Sequence, residues 1–169
     1  MSEDDKPSPI RPTDDEARGV AKHLIESARL TALAVLHPES GGPFVSRTAV
    51  ATASNGQPVS LISDLSLHTR ALKASPKCSL LLGEPGQDGA KGDPLNQARI
   101  TLQCEARFLT RDDPEEFAEM QKRYLSLIPK ATIYANFLDF NFAVFDVKAA
   151  SLNGGFGKAF ELTPADLGL

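Results

Sequence analysis

The chain has no tryptophan, only two cysteines and only three histidines in 169 residues, and each scarcity removes a class of explanation. Cys78 and Cys104 stand in apolar contexts, "KCSLLL" and "TLQCEARF", without C-x-x-C spacing or a neighbouring histidine. That pattern fits reduced, packed thiols. His23, His37 and His68 are scattered with no H-x-x-x-H repeat, which argues against a structural metal. No apolar run approaches the roughly 20 residues that a membrane-spanning helix needs. The stretch "MSEDDKPSPIRPTDDEAR" is acidic and proline-bearing, neither a signal peptide nor an Arg-rich transit sequence, so a cytoplasmic protein is expected. An excess of basic residues is missing too. The formal net charge of −4 argues against a general nucleic-acid binder, which needs a basic footprint.

What is present is an ordinary soluble composition, 41% hydrophobic and 24% charged, on a length that suits one domain with a real core. Residues 1–12 read as a disordered lead-in and 13–169 as the single domain. "TDDE" reads as a capping box with Thr13 as N-cap and Glu16 three residues on. Ala17, Val20, Ala21, Leu24, Ile25 and Ala28 then follow at the spacing of one helix face, with His23 off that face. Strands are expected at 31–37, 44–53 and 59–63, the last two joined by a turn at Asn55-Gly56, where positive φ is readily adopted. A short helix "LHTRALKAS" leads to a buried strand at 77–83, and the Gly/Pro-dense stretch 84–96 to a loop. "ARITLQCEARFL" alternates strictly: Ile100, Leu102, Cys104, Ala106 and Phe108 face one way, and polar residues the other. Asp113 and Pro114 open a further helix whose face is Phe117, Met120, Tyr124, Leu125 and Ile128. A last long strand occupies 140–152. About six strands in hairpin succession, with no βαβ spacing, predict a mainly β (α+β) fold: a six-stranded antiparallel barrel with peripheral helices.

The chemistry concentrates at "SLISDLSLHTRALKAS", residues 60–75, where a strand hands over to a helix amid Ser63, Asp64, Ser66, His68, Thr69 and Arg70. Between Val45 and Lys77 the bases are Arg47, Arg70, Lys73 and Lys77, and the only acid is Asp64. A local basic segment in an acidic chain suggests an anionic small ligand. Unpaired amides at a helix start attract anions, and Ser63, Ser66 and Thr69 could add hydroxyl donors while Arg47 and Arg70 supply charge. The other reading is that Ser66 merely caps the helix and that His68 and Arg70 face solvent. Asp64, Ser66 and His68 also name the members of a hydrolytic triad. Their spacing within one turn, without a G-x-S-x-G elbow, rarely orients one.

Three stretches, "PFVSRTAVATASNGQPVSLISDLSLHTRALKASPKCSLLL", "DPLNQARITLQCEARF" and "NFLDFNFAVFDVKAASLNGGFGKA", together resemble the pyridoxamine 5'-phosphate oxidase-like FMN-binding split-barrel proteins, in the branch of the HugZ-type haem-utilisation group. The resemblance spans roughly residues 17–165. It rests on S-x-L-x-x-H-T at the junction, "DPL" before an R-x-T-L strand, and "GGFG" after the last strand. It implies a homodimeric split barrel with FMN at the subunit interface. Arg47, Thr48 and Ala49 would contact flavin and phosphate, as would Ser63 and Asp64 on the next strand's end. Ser66, His68, Thr69 and Arg70 would hold the phosphate, and Gln97 would come from the second subunit. The implied activity is that of an FMN-dependent oxidoreductase of unknown substrate. The alternatives are a haem-binding or haem-degrading protein and a non-catalytic flavin module. Where the oxidase proper carries Arg-Lys, this chain has His68-Thr69, which speaks against pyridoxamine phosphate oxidation.

Overall fold

The computed structural model describes residues 8–169. Residues 1–7 of the expected lead-in lie outside the described residues, and Ile10–Arg11 within it forms a short strand, β1. Helix α1 (Asp15–Ser27) follows. Strands β2 (Leu30–Leu36), β3 (Pro43–Ala49), β4 (Ala51–Thr52) and β5 (Pro58–Ser63) lead to helix α2 (Leu67–Ala74). Then come β6 (Lys77–Leu82), β7 (Arg99–Leu109), α3 (Pro114–Leu127), β8 (Phe140–Asn153), β9 (Ala159–Leu162) and α4 (Pro164–Leu167). One sheet runs in the order β1-β9-β8-β7-β6-β2-β3, and β5 joins it by pairing with β8. This is the expected mainly β, α+β split barrel. It has nine strands rather than six and is not closed. Two of the extra strands, β1 and β4, have two residues each. The third, β9, lies beyond the last strand expected from sequence. The β1–β9 pair is parallel, so the sheet is not wholly antiparallel.

Burial explains the pattern. β5 is buried along nearly its whole length because it has protein on both faces. Ile62 joins the main core inside the sheet, together with Leu33, Leu80, Ile100, Leu102 and Phe145. Val59 and Leu61 join a second cluster under α3, with Phe117, Tyr124, Phe142 and Val144. Phe142 is gripped by Phe117 and Tyr124, with ring centroids 5.1 and 5.4 Å away. Cys78 and Cys104 are buried, free and directly opposed across β6 and β7. Burial pushes the Cys78 thiol up to about 12 and the Cys104 thiol further up, so neither is a ready nucleophile.

Two local departures have physical causes. The expected strand 44–53 breaks at Val50, whose N–H donates to the Arg29 carbonyl at 3.1 Å. The split that results is bridged by side chains: the Ser60 hydroxyl, fully buried, donates to the Ala49 carbonyl at 2.7 Å, and the Tyr124 hydroxyl approaches the same oxygen at 3.5 Å. At α1 the N-cap is Asp14 rather than Thr13, since the Asp14 carboxylate accepts the Ala17 N–H at 2.8 Å. Thr13 instead donates its hydroxyl to the Glu161 carbonyl of β9.

Ser60→Ala removes the shortest side-chain bond to the Ala49 carbonyl, leaving the approaches of Thr48 at 3.4 Å and Tyr124 at 3.5 Å, and should destabilise the fold by about 1–2 kcal/mol in a urea titration. Backbone and side-chain bonds from Thr163, then the Arg18 guanidinium, hold the Asp166 carboxyl at about 2, against 3.8 when unfolded. The stabilisation it gives is therefore complete above pH 3.8 and lost as pH falls through about 2. In acid unfolding followed by circular dichroism, Asp166→Asn should lack that part of the pH dependence.

Candidate functional site

The segment between β5 and α2 is held by one acid from elsewhere in the chain, Asp139. The Asp64 N–H donates to the Asp139 carbonyl at 2.7 Å, and the Ser63 hydroxyl donates to the Asp139 carboxylate at 2.5 Å while accepting the Leu65 N–H at 3.1 Å. Asp64 itself is committed sideways. One carboxylate oxygen takes Lys73 Nζ at 2.8 Å and the other takes Asn141 Nδ2 at 3.2 Å. Of the four local bases, Lys73 is therefore neutralised by Asp64.

The first turn of α2 is left without a carboxylate. Ser66 stands at the N-cap, but its side chain makes no cap bond, and the first turn holds no acid. The amides of Leu67, His68 and Thr69 have no partner among the described residues. Thr69 is fully buried, and its hydroxyl is the one buried side-chain polar atom without a partner among the described residues. An orphaned hydroxyl of this kind costs about 1–3 kcal/mol. An acceptor oxygen brought to the helix start would remove that cost. Arg70 is exposed on the same turn, and Arg47 is exposed on β3; neither has an ion-pair partner among the described residues.

β3 and α2 are joined by one side-chain bond, Ser46 Oγ to His68 Nδ1 at 3.1 Å. Ser46 lies on the inward face of β3, opposite the buried Leu33 of β2, and α2 packs against β2. His68 is half-buried, and desolvation lowers its pKa from 6.5. Its imidazole is thus neutral at pH 7, and with Nδ1 engaged by Ser46 the free ring nitrogen is Nε2. Thr48 is half-buried and its hydroxyl lies 3.4 Å from the Ala49 carbonyl. The structure therefore gathers Ser66, His68, Thr69 and Arg70 at the start of α2, whereas Arg47, next to Ser46 on β3, lies on the opposite, outward face of that strand. Ser63 and Asp64 lie beside that helix start with their side chains engaged in holding the backbone. Gln97 is elsewhere, before β7, where its side-chain oxygen accepts the Gly86 N–H at 2.7 Å and fastens the 84–97 loop.

Three residues in the geometry escaped sequence reading: Ser46, Asp139 and Asn141. The two polar residues inside the apolar run "FLDFNFAVF" were the available signal, since a polar side chain interrupting a buried strand needs a partner.

Residues 12–167, nearly the whole chain, match the CREG β-barrel family. The chain belongs to that family. A plant relative, the chloroplastic non-canonical heme oxygenase HOZ of Arabidopsis thaliana, is 32% identical over 120 residues, 71% of this chain. The match spans only 34% of that protein's length. A heme binding protein from Mycobacterium smegmatis superposes with a TM-score of 0.79 at 28% identity, covering 94% of this chain and 61% of that one. A pyridoxinephosphate oxidase-family protein from Clostridium acetobutylicum shares the fold, with a TM-score of 0.67 at 11% identity over 92% of this chain and 99% of that one. The split-barrel architecture is thus common to this CREG-family chain and to proteins on both the haem and the oxidase sides of the resemblance. No described helix is long and apolar enough to cross a membrane.

His68 should titrate below 6.5 in histidine-detected NMR. Because its folded pKa is depressed, the associated stability is present above 6.5 and lost as pH falls through the folded value. His68→Gln should flatten that limb of the stability curve.

Proposed function

We propose that this chain is a haem-binding split-barrel domain acting as a homodimer. The observation that carries the reading is the juxtaposition at one helix start of a neutral imidazole, oriented by Ser46, with the uncommitted cation Arg70 and a first turn free of acids. Haem needs both kinds of group: a nitrogen to face the iron and positive charge for its propionates. Arg70, Ser66 and the amides of residues 67–69 would hold the propionates, and Nε2 of His68 would face the metal. Arg is suited to carboxylate oxygens because its planar fork donates two parallel bonds. When bound, haem would supply iron chemistry. The residues themselves anchor and orient it, and burial keeps the imidazole unprotonated. Support also comes from the 32% and 28% identities to proteins named for haem, against 11% for the oxidase-family structure.

FMN is the second reading. The three unpartnered amides and the Thr69 hydroxyl favour it, because together they match a phosphate group's several acceptor oxygens. A flavin held there would make the chain an FMN-dependent oxidoreductase or a non-catalytic carrier.

The homodimer is supported by the outward face of the sheet. Leu30, Leu36, Val45 and Leu81 are exposed on neighbouring strands, Val45 to 61%, beside a hollow of about 590 Å³ lined by Ala34, Leu36, Pro43, Ser79 and Gln103. An exposed apolar cluster of this kind, with Lys77, Glu105 and Lys148 also lining the hollow, marks an interaction surface.

Denaturing the purified protein and identifying the released chromophore decides between the ligands. Titration with haemin should give a Soret band that shifts in His68→Ala, and Arg70→Ala should weaken binding about tenfold, since a charge-assisted bond is worth about 1.5–3 kcal/mol. Quenching of FMN fluorescence without a haemin Soret shift would turn the assignment to the flavin. Binding of neither would refute both.

A further inference from the structure

Asp64 is the one acid between Val45 and Lys77, and it stands two residues before Ser66, the N-cap of α2. An aspartate at such a place ordinarily turns its side chain onto backbone amides two and three residues further on. The nearer of these, the Ser66 N–H, already donates to the Ser63 carbonyl at 3.1 Å. The farther, the Leu67 N–H, has no partner among the described residues. Asp64 is thus within local reach of an amide that it does not take.

Two side chains account for that. Lys73, in the last turn of α2, meets one carboxylate oxygen at 2.8 Å and lies 5.6 Å from the centroid of the Phe108 ring, so its ammonium is fixed from two sides. Asn141, on β8 opposite Ile62, donates Nδ2 to the other oxygen at 3.2 Å. Neither contact is an obvious stability device. The Lys73 and Asp64 side chains keep 50% and 35% of their exposure, and ion pairs so open to water are worth little. Asn141 is a polar side chain only 9% exposed between Phe140 and Phe142, a placement that costs stability unless it is bonded, and its donor goes to Asp64. What the two contacts achieve together is directional: each carboxylate oxygen is held away from the start of α2.

We propose that Lys73 and Asn141 are positioning residues for the ligand site: they hold the Asp64 carboxylate aside, and once released it caps α2 and competes with the anionic group of the ligand. The proposal rests on the reading above, in which a carboxylate of haem or the phosphate of FMN binds the first-turn amides. It reverses the role that the resemblance implies for Asp64, which is kept off the ligand rather than brought onto it. Selection for an anion at this helix start then depends on where one carboxylate is held. Clasped, it leaves the turn electropositive; loose, it fills the chain's own site.

The test is a double-mutant cycle read by haemin titration, with FMN as second probe, and by amide spectra recorded before ligand is added. Lys73→Met should weaken binding about fivefold, the worth of one helix cap, and should shift the Leu67 amide in the ligand-free protein. Asn141→Leu should act in the same direction. Asp64→Asn should not weaken binding by itself, and in either background it should restore the lost affinity, because no carboxylate is left to turn. Unchanged affinity in Lys73→Met overturns the inference. So does a loss that Asp64→Asn fails to restore, which would make Lys73 a direct ligand contact. An equal effect of Asp64→Asn with and without Lys73 would reduce Asp64 to repulsion through space, and a loss in Asp64→Asn alone would make it a ligand contact; either result overturns the inference too. All four leave the ligand assignment standing. A wild-type protein that takes neither haemin nor FMN overturns the ligand assignment, and this inference with it.

Discussion

The account turns on how the acids at the β5–α2 handover are used. A helix start ordinarily attracts a capping carboxylate, and the junction contains Asp64 with Asp139 beside it. Neither caps α2. Asp139 holds Ser63 and the Asp64 amide, and Asp64 is shared between Lys73 and Asn141. With both acids satisfied at the side of the junction, the amides of the first turn keep their partial positive charge, and Arg47 and Arg70 remain uncompensated. The Thr69 hydroxyl, buried and unpartnered, is the part of this arrangement that the isolated chain leaves unsatisfied.

The rest of the fold keeps that corner in place. β5 reaches it as a strand buried between the main core and α3, so its end has little freedom to move. β3 arrives from the other side, ending at Ala49, where the sheet splits and the Ser60 and Tyr124 hydroxyls stand in for a missing strand ladder. The Ser46–His68 bond ties the two approaches together and fixes which imidazole nitrogen is left over. Low local dielectric strengthens these few bonds and at the same time keeps His68 neutral.

Much of this was legible in the sequence, and the reasons are specific. The strict alternation from Ile100 to Phe108, the spacing of Ala17 to Ile25 and the Asp113-Pro114 helix start are local patterns, and the structure follows them. That Ser66, His68, Thr69 and Arg70 share a strand-to-helix junction was legible because the polar residues crowd where an apolar alternation stops, whereas the outward placement of Arg47 on β3 follows from its pairing with β2. What the sequence hid depends on long-range pairing. Nothing local to Asp139 says that it will anchor Ser63, 76 residues away. The break at Val50 is imposed by the Arg29 carbonyl, and β9 exists because β8 offers its edge to it. Gln97 reads equally well as a ligand group and as a loop fastener; on a single chain the structure shows the second.

Membership of the CREG β-barrel family fixes the scaffold, and the scaffold is shared by a heme binding protein and by a pyridoxinephosphate oxidase-family protein. The distinguishing chemistry therefore has to lie in the corner itself. The most direct measurement of its central property is the amide shift map of the protein during titration with haemin, made diamagnetic by replacing iron with zinc or gallium. The account predicts the largest perturbations at Leu67, His68 and Thr69, with the Ser46 resonance following His68. Saturable binding that leaves those three amides unmoved would contradict it.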